Sequence, residues 1–294
     1  MNKLIFLLVS MIFINNSLLA RESAIEAVDT NFLRVCADPA NLPFSNDKGE
    51  GFENEIADLL GKKLNVPVVY DYFPQVIGYV RNTLNKKKCD IIIGITSGND
   101  LVLNTLPYMR WSYVIAYLND AGIEVDRPDH PQLADLRIGT QAGTPPTFIL
   151  QRYNLMSKVR PYNLTFDPRF AIIGESMIED LIDGLVDIVF MSCPIASYYL
   201  HKKGFDKTEF TMIPIETTDQ GWGRMDFYTT MGVRDGETDW KKKLNKFIKG
   251  NKKEIEQILA KHNIPILSLR PGKRKKTEAG STTDALIKGR APVN

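Results

Sequence analysis

Residues 33–95 switch repeatedly between two hydrophobic periods, and that alternation limits the folds open to the chain. LRVCA (33–37) is a short apolar strand. GFENEIADLLGKKL (51–64) places Phe52, Ile56, Leu59, Leu60 and Leu64 at helical spacing. PVVYDYF (67–73) returns to strand character, and VIGYVRNTLNKKK (76–88) reads as a helix with a stripe through Val76, Val80 and Leu84. CDIIIGI (89–95) is a nearly unbroken apolar run, the pattern of a strand covered on both faces. Strand, helix, strand, helix, strand in that order implies a parallel sheet with right-handed crossovers.

A second unit of the same kind follows. SYVIAYLN (112–119) is a strand leading away from the first unit. In DLRIGTQAGTPPTFILQRY (135–153), Ile138 and Gly139 end a strand, and Thr144 can cap a helix opening at Pro145. Ser176 and Glu179 have capping-box spacing ahead of LIDG. VDIVFMS (186–192) is a buried-type strand, and PIASYYLHKKG (194–204) is a helix ended by Gly204. LIDGLVDIVFM and TLNKKKCDIIIGI share one form: helix end, turn, Asp, apolar strand.

Two helices close the globular part. DWKKKLNKFIKG (239–250) has a stripe of Trp240, Leu244, Phe247 and Ile248, and KKEIEQILAKHNI (252–264) one of Ile255, Ile258 and Leu259. The first unit's sheet is the better one for them to cover. The chain then crosses twice between lobes, near 118–121 and near 214–220. The expected organisation is an α/β protein of two lobes around a central cleft, with a hinge. Lobe 1 is 33–118 plus 221–266, and lobe 2 is 119–220.

The ends are of a different character. Residues 1–20 join Lys3 to an apolar run of about eleven residues and an Ala before RES, the signature of a signal peptide cut after Ala20. A spanning helix needs about 20 apolar residues, and no second such stretch follows. Residues 270–294 carry seven Lys or Arg against two acids and read as a disordered basic tail. Without that tail and the signal peptide, residues 21–269 sum to −4. The basic residues lack interleaved aromatics, which argues against nucleic acid.

An exported chain permits disulfides, and its three cysteines leave at least one unpaired. Cys36 and Cys89 lie on or beside neighbouring strands of lobe 1, while Cys193 lies in lobe 2, so Cys36–Cys89 is the candidate bridge. Cys36 stands late in its strand and Cys89 opens its own. Two free thiols are therefore the alternative, since a bridge requires Cα atoms within ~7 Å. His130, His201 and His262 are far apart in sequence, the latter two beside lysines at helix ends where solvation is expected. No GxSxG, HExxH, calcium loop or phosphate-binding glycine loop occurs. Glu53 and Glu55 sit in a first helical turn, where the dipole favours acids. No catalytic residue, metal site or cofactor is expected.

GFENEIADLLGKKL, TLNKKKCDIIIGIT, IGTQAGTPP and LIDGLVDIVFMSCPIASYYL together resemble the extracellular solute-binding proteins of the amino-acid-binding, type II periplasmic class, over residues 33–265. Within that class, RVCADPANLPFSNDKGEGFENEIA, FPQVIGYVRNTLNKKKCDIIIGI and LVLNTLPYMRWSYV resemble the quinoprotein-dehydrogenase-associated binding proteins. These accessory proteins are encoded with periplasmic methanol dehydrogenases of calcium and lanthanide types. The resemblance implies a periplasmic location and a dehydrogenase large subunit as partner. It also assigns the pyrroloquinoline quinone (PQQ) and the metal to that partner.

Amino-acid binders of the class usually follow a lobe 1 strand with Thr-x-x-Arg, whose guanidinium clamps the ligand carboxylate. This chain has Thr96-Ser97-Gly98-Asn99-Asp100 there. Where they commonly carry Asp-x-Pro for the ligand ammonium, this chain has Ser192-Cys193-Pro194. Both zwitterion anchors are absent. Strand ends nominate Asp38, Asn41, Phe44, Phe73, Thr96, Asn99, Thr144, Ser192 and Tyr198 as cleft residues, with Arg81, Arg110, Tyr108 and Trp111 near the rim. The plainer alternatives are Phe44 and Phe73 as loop anchors, Asp38 as a cap for local amides, and Arg110 as half of an ion pair. Two functions fit: assisting maturation or activation of a PQQ-dependent methanol dehydrogenase, or receiving a small polar solute for an ABC transporter.

Overall fold

The computed structural model describes residues 28–162, 173–215, 223–265 and 267–269. The expected signal peptide, the basic tail and most of the expected second crossing lie outside the described residues.

The first lobe builds its sheet from β1 (Leu33–Ala37), β4 (Val68–Tyr72) and β5 (Ile91–Thr96), with β1 central and parallel to both neighbours. A short hairpin, β2 (Ala40–Asn41) and β3 (Ser45–Asn46), follows β1. Two antiparallel strands extend the sheet: β6 (Leu103–Leu118) and β11 (Asp226–Val233), with β11 between β5 and β6. The second lobe adds β7 (Ile138–Gln141), β8 (Val159–Tyr162), β9 (Ile188–Ser192) and β10 (Phe210–Pro214). The order runs β4-β1-β5-β11-β6-β9-β7-β8, with β10 also paired to β6.

One strand therefore belongs to both lobes. β6 pairs with β11 through Ser112, then with β9 from Tyr113 onward. The first crossing was expected near 118–121. The change of partners instead falls between Ser112 and Tyr113, because 113–118 is the stretch apolar on both faces that lobe 2 can bury. The expected strand over 112–119 thus extends back to Leu103, although Pro107 has no ladder N–H to give. The structure places Pro107 opposite Thr230, where the β6–β11 register shifts.

Helix α1 (Phe52–Leu64) buries Phe52, Ile56 and Leu60, while Leu64 is exposed. It shares one core with Leu33, Val35, Ile91 and Ile93 and with the stripes of α6 (Thr238–Gly250) and α7 (Lys252–Lys261). The closing helices do cover the first lobe. The expected helix over 76–88 shrinks to α2 (Tyr79–Asn82) and a 3-10 turn at Leu84–Lys86. Gly78, at φ +93°, delays the start, and Val76 is exposed rather than core-facing. In lobe 2, α3 (Pro145–Arg152) starts after Thr144 as expected, with Pro145 in its first turn, but the Thr144 side chain makes no cap hydrogen bond and turns back to Gln141 O instead. Helix α4 (Ile173–Ile182) is already running at Ser176, so Ser176 is no cap. Helix α5 (Cys193–Lys202) shares a core with α4 against Val114, Val189 and Met191.

Cys36 and Cys89 are joined, with Cα atoms 5.4 Å apart. The register objection falls away because β5 begins only at Ile91, which leaves Cys89 in the turn ahead of the ladder. Cys193 is free and buried.

Candidate functional site

The two crossings meet at Tyr113. Its N–H donates to Met225 O (2.9 Å) and its carbonyl accepts from Ile215 N (2.9 Å). Outgoing and returning chain are thus held side by side at one residue. Beside it Trp111 stacks on Phe227 at 5.0 Å, and Tyr113 meets both rings edge-on. Trp111 Nε1 donates to Thr229 Oγ1 at 3.2 Å. These half-buried aromatics pack on one another at the junction rather than forming a free surface.

The lobe 1 wall is a loop organised by its own polar groups. Asp38 accepts from Ala40 N at 2.9 Å and from Gln75 N at 2.6 Å. Asn41 donates to Gln75 Oε1 at 3.1 Å. Both oxygens of Asp38 thus hold backbone amides, so it is the cap of the plainer reading. Phe44 packs on Phe52 at 5.2 Å, and Phe73 faces Tyr79 at 6.4 Å. Both are loop anchors. At the end of β5, Thr96 is exposed and Asn99 Oδ1 accepts from Leu101 N at 2.9 Å, closing a local turn.

Behind this wall lies an unexpected group. Glu53, 6% exposed, lies against Gly94, where an added Cβ would stand 1.6 Å from Glu53 Oε1. Burial, with Asp38 adding to it, pushes the Glu53 carboxyl up to about 8. Burial likewise lifts the Tyr108 phenol well above its usual value, and its hydroxyl has no partner among the described residues. Tyr108 is core, not rim. The sequence held one signal for this close approach, a glycine interrupting CDIIIGI, since glycine inside a strand marks such a contact. Glu55, by contrast, reaches outward. His262 and Lys261 bond it at 2.8 Å each and hold its carboxyl below its usual value despite partial burial. His262 is therefore packed, not solvated as expected; so is His201, whose Nδ1 lies 2.7 Å from Ser197 O.

The lobe 2 wall is the junction of β9 and α5. Ser192 Oγ is buried without a partner among the described residues, and burial pushes the Cys193 thiol up to about 12. Thr144 Oγ1 donates to Gln141 O at 2.6 Å. Helix α5 reaches across to lobe 1, a contact absent from the sequence expectations, which placed Tyr198 only in the cleft. Tyr199 Oη donates to Leu42 O at 3.3 Å, Ser197 Oγ donates to Asn263 O at 2.6 Å, and Tyr198 packs against the cores of both lobes. Of the rim candidates, Arg110 pairs with Asp226 at 3.2 Å and bonds Ser268 O, while Arg81 is exposed on α2. The structure brings Asp38, Asn41 and Phe44 into one loop of lobe 1, and Ser192 and Tyr198 to the β9–α5 junction of lobe 2. Thr96 and Asn99 stand apart in their own turn.

Two α/β lobes joined by two crossings define a bilobal binding protein. The chain belongs to the bacterial extracellular solute-binding proteins, family 3, whose sequence pattern matches residues 33–264. Among individual proteins, it is 27% identical over 252 residues to protein MoxJ of Paracoccus denitrificans, covering 81% of this chain and 90% of that one. The crystal structure of periplasmic binding protein XoxJ from Methylobacterium extorquens AM1 is 33% identical, with TM-score 0.67 over 80% of this chain and 99% of that one. MxaJ from Methlophaga aminisulfidivorans MPT, at 23% identity, shares the fold with TM-score 0.68 over 80% of this chain and all of that one. Among the described residues no three His, Cys, Asp or Glu are placed to hold a metal, and no helix is long and apolar enough to cross a membrane.

Proposed function

We infer that this chain is a periplasmic accessory binding protein that assists maturation or activation of a PQQ-dependent methanol dehydrogenase. The observation carrying this reading is end-to-end similarity to the periplasmic binding protein XoxJ, 33% identical over 99% of that chain. The accessory-type strings RVCADPANLPFSN and FPQ…RNTLN in the lobe 1 wall support it. So does the chemistry of the cleft: Ser192 stands where an aspartate would hold an ammonium, and Arg110 is engaged by Asp226 and Ser268.

The test uses the exported protein and purified dehydrogenase in its apo form, supplied with PQQ and metal. Added accessory protein is expected to speed the gain of activity or to bind the apo enzyme. No complex and no effect at any maturation stage would sink the reading.

A transport receptor for a small polar solute is the second reading. The buried, unpartnered Ser192 hydroxyl favours it, since such a group gains by meeting a ligand. A neutral polar solute that binds tightly and protects the protein against unfolding would establish it.

A further inference from the structure

Ile77 is 98% exposed, far beyond any other large hydrophobic residue described, and its neighbour Val76 is 45% exposed. Single exposed apolar residues are ordinary. Two adjacent ones on a firmly held loop call for a cause. Phe73 N donates to Ala37 O at 3.0 Å, Gln75 N to Asp38 Oδ2 at 2.6 Å, and Tyr79 N to Val76 O at 3.0 Å. Asn41 fixes the Gln75 side chain, and Gly78 takes the positive φ that returns the chain to α2. The loop that sequence periodicity would turn inward is instead built to hold two aliphatic side chains out in water.

We propose that this 76–77 knob is the docking point for a folded protein partner offering an apolar pocket edged by carboxylates. The inference rests on the accessory reading and names the surface it uses. A loop already fixed by backbone bonds loses little freedom on binding, so more of the apolar burial there appears as affinity. The carboxylate edge follows from charge. Between Phe73 and Lys88 there are four basic residues and no acid, and Arg81 stands exposed on α2 just beyond the knob. A second copy of this chain and a lipid surface are the competing occupants.

A photoreactive benzoylphenylalanine is placed at 77, and as a control at 185, where Leu185 is an exposed apolar residue of lobe 2. Irradiation of cells oxidising methanol is expected to link position 77, but not 185, to the dehydrogenase. Ile77→Asp is expected to weaken binding of purified apo dehydrogenase at least about tenfold with an unchanged melting temperature. Equal binding by wild type and I77D overturns the docking inference and leaves the accessory function standing. A link between two copies of this chain, or vesicle adhesion lost in I77D, overturns it in favour of those occupants. No protein link at 77 overturns it as well. A wild type that ignores the dehydrogenase, yet links through 77 to another identified protein whose binding I77D abolishes, removes the accessory reading and keeps the knob.

Discussion

Arg234 Nη2 lies 2.7 Å from Asp90 Oδ1, with Asp90 1% and Arg234 8% exposed. The same carboxylate takes Nη2 and Nε of Arg34 at 2.6 and 2.7 Å, and Arg234 also binds Glu237 at 2.6 Å. Arg234 further donates to the carbonyls of Leu84 and Cys89. The end of the returning strand β11 is thereby tied to the start of β5 and to the disulfide turn. Asp90→Ala takes the shared carboxylate from both guanidiniums while Glu237 stays on Arg234, so the loss lies within the about 3–5 kcal/mol of a broken buried pair. Asp90→Ala is expected to lower the melting temperature by roughly ten degrees, read by calorimetry. A drop of only a degree or two would mean that water replaces the pair.

Glu53 makes stability depend on pH. Its carboxyl is raised from 4.5 to about 8 in the folded chain. Between those values the folded state holds a proton that the unfolded state has released, so stability falls as pH rises through that window. The slope approaches about 1.4 kcal/mol per pH unit for one group. Urea unfolding at pH 5, 6.5 and 8 is expected to show this loss in wild type and to show it flattened in Glu53→Gln. Parallel curves for the two proteins would place the Glu53 carboxyl in water.

The Cys36–Cys89 bridge closes a separation of 53 residues. Chain entropy for such a loop corresponds to about 4 kcal/mol. Cys36→Ser with Cys89→Ser is expected to be destabilised by that order in chemical denaturation. Native protein should show no rapidly titrating thiol, because Cys193 is buried with a raised pKa. Two fast thiols in the native state would contradict the bridge.

The parts of the fold that could be read from sequence are those where local pattern and final burial agree. The run IIIGI of CDIIIGI is apolar and lies in β5; the α6 and α7 stripes went to the lobe they fit. The parts that misled are those where a tertiary partner overrides the pattern. The ion pair expected as the plainer role of Arg110 exists, but its partner Asp226, 116 residues away, is set by the β6–β11 register. Val76 kept helical spacing, but Gly78 broke the helix before it could turn inward. Glu53 and Glu55 look alike as first-turn acids; one is buried against Gly94 and the other meets His262 and Lys261. Nothing in one sequence separates two acids whose difference lies on other elements.

Free amino acids are expected to bind poorly or not at all. Recognition of a zwitterion needs a fixed cation for the carboxylate and a fixed anion for the ammonium, each hydrogen bond to a charged group being worth about 1.5–3 kcal/mol. At the end of β5 the chain turns through Thr96 and Asn99 without an arginine, and Asn99 spends its carbonyl oxygen on Leu101 N. At the start of α5, Ser192 and a protonated Cys193 offer no negative charge. Asp38 already holds two backbone amides. Losing two such anchors costs several kcal/mol, and each 1.4 kcal/mol is a factor of ten, so micromolar affinity falls to about millimolar or weaker. Calorimetric titration with acidic, basic and neutral amino acids is expected to give no saturable heat. Micromolar binding of any of them would mean that another cation, with Arg81 the exposed candidate, swings in to rebuild the clamp, and Arg81→Ala would then abolish it.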